Sequence, residues 1–288
     1  MIWIVLALLN AILTGIVLFL DKKLLLKEHT LEFSTIFALT NAALAFLLIP
    51  FVDFHISKLQ LILVYLFSWI STLAFYFMAK ATRHIQLSSF LPLTNLIPAI
   101  VALLGMIFLK EYLSLVQWSG LILLLIGSYM LQTRDITHYK VFFHKIARSK
   151  GLHFAFLSFF LYALASIVDR YVVVNLISAP TFLFYILLFT AVNFLLMSVF
   201  FNRGVKDIKH GFSEHWKIFL LAGFLTFAAR VLQIYAVSLE TPSLVLSVKR
   251  LGVLIGLVLA GKFLHENNLE RKIFASVIML IGVVLIVV

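Results

Sequence analysis

Apolar runs of about 20 residues recur along the chain, each closed by a short polar or basic stretch. A run of that length crosses a bilayer as an α-helix. The pattern predicts ten spans: 2–20, 34–52, 61–79, 86–109, 115–132, 152–174, 180–201, 216–238, 242–264 and 273–288. The runs are apolar on every side, unlike the one-sided helices of a soluble core. The longest connection, 133–150, is polar and basic. It divides the chain into a first unit, 1–132, and a second, 151–288, of five spans each. The expected fold is an all-α membrane protein of ten transmembrane helices.

The two units repeat. With an offset of 155 residues, Ala81 meets Ala236, Ser88 meets Ser243, Leu96 meets Leu251, Glu111 meets Glu266 and Gly127 meets Gly282. With an offset of 148, Asp21-Lys22 meets Asp169-Arg170, and Phe46-Leu47-Leu48 meets Phe194-Leu195-Leu196. Leucine matches alone are weak evidence, but Glu, Gly and the Asp-basic pair fall in order. Five spans per unit is an odd number, so the units are inverted five-helix repeats, a transporter plan with the substrate site at the repeat interface.

The stretch Ala81, Pro98, Gly105, Glu111, Gln117, Gly120 and Gly127 has a second copy in Ala236, Glu266 and Gly282. Val253 stands in that copy for the proline and Ala275 for a glycine. Two tandem five-span repeats with this motif resemble the drug/metabolite transporter superfamily, EamA-type branch, over essentially the whole chain. The resemblance implies a ten-helix transporter and leaves the substrate open.

Composition agrees with the spans: 63% of residues are hydrophobic and 12% charged, against about 25% charged in soluble domains. Mean hydropathy is +1.12. No cysteine is present, which excludes disulfides and thiolate metal sites. The histidines lie mostly in loops without metal-ligand spacing, and no cofactor is expected. No basic n-region precedes the first span, so no cleavable signal peptide is expected. The net charge of +11 is assigned to the positive-inside rule rather than to nucleic acid. Seventeen Lys and Arg fall on the side of the odd-numbered loops, and only Lys58 and Lys110 on the other. The rule puts the odd loops in the cytoplasm and both termini outside, whereas the resemblance implies termini inside.

Four basic residues remain inside spans: Arg170, Arg230, Lys249 and Arg250. Lys249-Arg250 lies about 12 Å into the ninth span, where a charge costs roughly 2.5–3.5 kcal/mol. Arg230 lies at matching depth on the eighth span, with Gln233 on the same helical face. Asp169 is the in-span acid, and Glu240 stands near the edge. The excess of cations points to an anion site, arginine supplying a planar fork and lysine a point charge. In the other reading Asp169 pairs with Arg230 or Arg250 and the remaining cations snorkel. The Lys249-Arg250 pair is similar to the Lys-Arg pair in the ninth helix of plastid-type phosphate translocators, a resemblance that implies a phosphate contact at those two positions. By pseudo-symmetry Thr94 and Asn95 occupy the corresponding place in the first unit. Pro92 and Pro98 flank them, and proline bends the span. Asn95 either faces the cavity or bonds a neighbouring helix.

Gly252, Gly256 and Ala260 on span nine, Gly120 and Gly127 on span five, and Ala275 and Gly282 on span ten have the spacing of close helix contacts. Glu111 and Glu266 sit where a carboxylate caps a helix. Tyr65, Trp69 and Tyr76 follow one face of span three, as packing or as a cavity wall.

The expected function is secondary transport of a small, anionic metabolite across the plasma (inner) membrane by alternating access. No phosphate-binding ATPase motif is present, so a gradient supplies the drive. Asp169 is the candidate for proton coupling, against which its basic neighbourhood argues. The alternatives are a membrane-embedded enzyme or a flippase acting on a lipid phosphate headgroup. No Ser/His/Asp or His-Glu-x-x-His set accompanies the cations, which disfavours the enzyme. The expected partners are the small-molecule substrate and the lipid bilayer; the oligomeric state is open.

Overall fold

The structure, a computed structural model, describes residues 2–85, 87–108, 110, 112–132, 149–201, 205–264 and 269–287. It is all-helical among these residues. Helices α1 (Ile2–Leu25), α2 (Thr30–Ala45), α3 (Lys58–His84), α4 (Leu87–Leu93 and Leu96–Phe108) and α5 (Leu115–Gln132) build the first repeat. Helices α6 (Lys150–Asn175), α7 (Ala179–Phe200), α8 (Val205–Leu239), α9 (Pro242–Lys249 and Gly252–Leu264) and α10 (Leu269–Val287) build the second. Among the described residues seven helices are long and apolar enough to cross a membrane, and three shorter apolar helices accompany them. The chain is a multi-pass membrane protein.

Local chemistry sets the boundaries. Ser57 and Gln60 form a capping box at the start of α3: the Gln60 N–H donates to Ser57 Oγ at 3.2 Å, and the Ser57 N–H donates to Gln60 Oε1 at 2.9 Å. Ser114 and Gln117 repeat the device at α5, at 3.2 and 3.0 Å. Pro180 and Pro242 stand in the first turns of α7 and α9, where a missing N–H costs nothing. Pro50 lies in the 3₁₀ turn Phe46–Phe51 that ends α2. Helix α8 is kinked at His215, and its membrane span runs His215–Leu239.

The main interhelical contacts have images in the other repeat. Helix α1 packs on α8 as α6 packs on α3, and α1 packs on α9 as α6 packs on α4. The self-paired contacts are α2 with α7, α4 with α9 and α5 with α10. The glycine pattern explains how closely the backbones approach. A Cβ on Gly120 would lie 2.6 Å from the Gly282 carbonyl oxygen, and one on Gly252 would run into the carbonyl of Ala11. Side chains such as Leu8, Leu66, Phe160 and Val284 are exposed on the outer faces, where lipid replaces water. Glu111, Glu266 and the loop 133–148 lie outside the described residues.

Two helices are interrupted, α4 at Thr94-Asn95 and α9 at Arg250-Leu251. In α4 the cause is Pro98, which has no N–H to give the Thr94 carbonyl. That carbonyl instead accepts from the Ile97 N–H at 3.1 Å, a tightened turn. In α9 Val253 replaces the proline and the break persists. The Val253 N–H donates to the Arg250 carbonyl at 2.9 Å and the Leu254 N–H to the Leu251 carbonyl at 3.0 Å, again three residues back. The missing proline therefore does not remove the interruption.

Helix α1 runs on past the expected end of its span. Asp21 and Lys22 lie inside it, not in the following loop. Lys22 is buried, and its Nζ donates to the carbonyls of Thr82 at 2.6 Å and Ile85 at 2.8 Å, capping the end of α3. It therefore belongs to the bundle rather than to the solvated charge of the loop.

Candidate functional site

A cavity of about 250 Å³ lies between the repeats, at the level of the two helix breaks. It is lined from α1, α2, α3, α4, α6, α7, α8 and α9. Most of the wall is apolar. The polar groups are set on it singly, as in ligand pockets generally.

The basic groups come from α8 and α9. Lys249 ends the first half of α9 and Arg250 opens the interruption, so adjacent side chains from one tightened turn both reach the cavity. Lys249 Nζ donates to Gln233 Oε1 on α8 at 2.6 Å. Gln233 is neutral, so it orients the lysine without cancelling its charge. Arg250 is buried, and its Nε has no hydrogen-bond partner. A buried guanidinium N–H without an acceptor is costly unless something else supplies one.

Arg230, one turn before Gln233, also lines the cavity. Its Nη2 meets Asp169 Oδ2 of α6 at 2.8 Å. Asp169 is almost fully buried behind this contact and does not line the cavity. The arginine charge is thus matched inside the protein, while those of Lys249 and Arg250 are not matched by any acid among the described residues.

The remaining candidates fall elsewhere. Arg170 Nη1 donates to the Val237 carbonyl at 2.6 Å, and Arg170 is not part of the cavity wall. At 3.6 residues per turn Arg170 points about 100° from Asp169, so the two cannot serve the same face. Asn95 is buried against α10, its Nδ2 3.9 Å from Met279 Sδ, and it too lies off the wall. Thr94 takes that place instead, with its Oγ1 donating to the Leu91 carbonyl at 2.7 Å. Tyr65 packs edge-on against Phe189, and Trp69 and Tyr76 pack on the α2–α7 core, so the aromatic face of α3 is packing.

Two titratable wall residues have no counterpart among the sequence candidates: Asp21 on α1 and Tyr162 on α6. The match of Asp21-Lys22 with Asp169-Arg170 held the signal for the first. Tyr162 carried none, being one aromatic in an aromatic-rich chain. Among the described residues no cluster of His, Asp and Glu could hold a metal ion.

The model of the EamA-like transporter family matches residues 1–133 and 149–288. Among solved structures 27 chains match. One, described only as a crystal structure of a protein, superposes with a TM-score of 0.64 at 13% identity, covering 99% of this chain and 95% of its own. That likeness shows a shared fold. No curated protein matches the chain.

Proposed function

Since the chain belongs to the EamA-like transporter family, we propose that this membrane transporter moves a small anionic metabolite across the plasma (inner) membrane by alternating access. The anion docks on Lys249 and Arg250, with Gln233 orienting the lysine and the Arg230–Asp169 pair fixing the wall behind it. The observation that carries the reading is the buried Arg250, whose Nε lacks an acceptor beside a lysine held only by a neutral amide. A carboxylate or phosphate supplies the missing acceptors and the missing negative charge together.

The breaks in α4 and α9 fit alternating access. Interrupted helices at matching places in inverted repeats are where transporters bind their substrates, and rocking of the repeats about that point alternates exposure. We take 1–132 and 151–288, joined by 133–150, as the two repeats, which interlock around the cavity. The chemistry asks for binding and release, not bond cleavage, so the substrate leaves unchanged. A thermal-shift screen of anionic metabolites on purified protein tests the reading. Stabilisation by an anion that depends on Lys249 and Arg250 supports it, and stabilisation indifferent to both residues removes it.

A further inference from the structure

The repeats share a pattern of contacts, and inside the cavity one ion pair of the second repeat has no counterpart in the first. Lys22 and Arg170 are 148 residues apart, and each donates to a carbonyl on the third helix of its own repeat, at 2.6 Å in both cases. The accepting residues, Thr82 and Val237, are 155 apart. The same two offsets pair Asp21 with Asp169 and Phe75 with Arg230. In the second repeat Arg230 neutralises Asp169 at 2.8 Å. In the first, a phenyl ring stands in place of the guanidinium.

Asp21 is therefore a carboxylate without its repeat's cation. Its Oδ1 is buried and has no hydrogen-bond partner. Lys22 beside it is engaged with the end of α3. The charged or titratable groups that line the cavity from other helices are Tyr162 on α6, Arg230 on α8 and Lys249 and Arg250 on α9. Among the described residues none of these forms a hydrogen bond or ion pair with Asp21. Two more oxygens on the same wall are also unpartnered: Asn41 Oδ1 on α2 and Thr226 Oγ1 on α8. The rings of Phe37 and Phe75 line the wall as well, stacked with centroids 5.4 Å apart.

A carboxylate, neutral oxygens and aromatic faces form the recognition set for an ammonium group, which brings three donors and a charge. This set is separate from the basic one. Helices α1 and α9 lie side by side, Gly252 against Ala11 and Ile255 against Gly15. Arg250 is thus level with the turn of Ala11, and Asp21 follows that turn by ten residues, about 15 Å along the helix. The cavity spans both.

We propose that the ligand of this cavity carries a primary ammonium as well as an anionic group, and that Asp21 selects for the ammonium. The proposal rests on the anion site at Lys249 and Arg250 and narrows its substrate to zwitterionic or amino-bearing anions. The axial separation of the two sets favours a ligand whose charges stand several bonds apart over one with both on neighbouring atoms.

The test uses purified full-length protein and three probe pairs that differ only by the ammonium: alanine against propionate, γ-aminobutyrate against butyrate, and phosphoethanolamine against ethyl phosphate. Thermal stabilisation is titrated for each. In the wild type, at least one ammonium-bearing probe is expected to act at roughly tenfold lower concentration than its mate, the gain of one charge-assisted hydrogen bond. Asp21→Asn, nearly isosteric, should bring the two mates of that pair to equal potency. Arg250→Gln should weaken both. Thr226→Val, which leaves every charge in place, should narrow the preference without abolishing it and serves if Asp21→Asn melts without ligand. Mates equal in the wild type, or a preference that survives Asp21→Asn, overturn the proposal while leaving the anion site standing. Equal mates with stabilisation that now depends on pH through Asp21 assign that carboxylate to a proton instead. If none of the six probes binds, the anion reading falls together with the proposal.

Discussion

Arg230 holds Asp169 at 2.8 Å across the α6–α8 interface, and the carboxylate is buried behind it. Removing one member leaves the other charge in a low-dielectric interior, which costs about 3–5 kcal/mol, whereas removing both is far milder. Asp169→Asn should therefore lower the melting temperature strongly, and Arg230→Gln should do likewise. The double variant should recover a large part of the loss. Melting curves of the three variants in one detergent check this; a double variant as unstable as the sum of the singles would show that the pair is not coupled.

A second prediction concerns the seam between α1 and α9. A Cβ at Gly252 would collide with the backbone of Ala11, and backbone cannot rotate away. Gly252→Ala should destabilise by about 1–3 kcal/mol, the usual range for overpacking. Gly105 is the control: its Cβ would meet only Ile167 Cδ1, at 3.7 Å. Gly105→Ala should be neutral or stabilising by a few tenths of a kcal/mol, since alanine favours the helix. Equal melting temperatures for the two variants would mean that the seam opens freely.

The spans were legible in the sequence because lipid demands an unbroken apolar run, and the inverted repeat because Asp, Glu and Gly recur in order. The anion candidates on α8 and α9 were legible as charges where none is cheap. Asp21 was not. The apolar run stops at Leu20, and Asp-Lys-Lys reads as a loop until Lys22 is seen capping α3 and keeping the helix wound. For a related reason Arg170 does not line the cavity, nor does Asn95, which the sequence left either facing the cavity or bonding a neighbouring helix. A break re-aims the side chains around it, so Thr94 rather than Asn95 faces inward. Of two adjacent polar residues on a helix, periodicity alone does not say which one faces in.

A third prediction concerns orientation. The charge asymmetry assigns the 133–150 loop to the cytoplasm. The cysteine-free chain makes the measurement clean. A single cysteine placed in that loop should resist an impermeant thiol reagent in intact cells and react after permeabilisation. Ready labelling from outside would reverse the assignment and put both termini in the cytoplasm.

The prediction with most at stake returns to Lys249 and Arg250. Both are enclosed by helices, and neither is matched by an acid among the described residues. If they bind the transported anion, Lys249→Gln and Arg250→Gln should each abolish uptake into liposomes. Folding should be nearly unaffected, or improved, because an unmatched buried charge is itself destabilising. Arg250→Lys should also fail, since lysine keeps the charge but loses the planar fork. A purely structural role orders the variants the other way. Under it the Gln variants would melt early, and Arg250→Lys would behave like the parent. Stability and uptake measured on the same preparations separate the two outcomes. Parental uptake by well-folded Gln variants would place the substrate site elsewhere in the bundle.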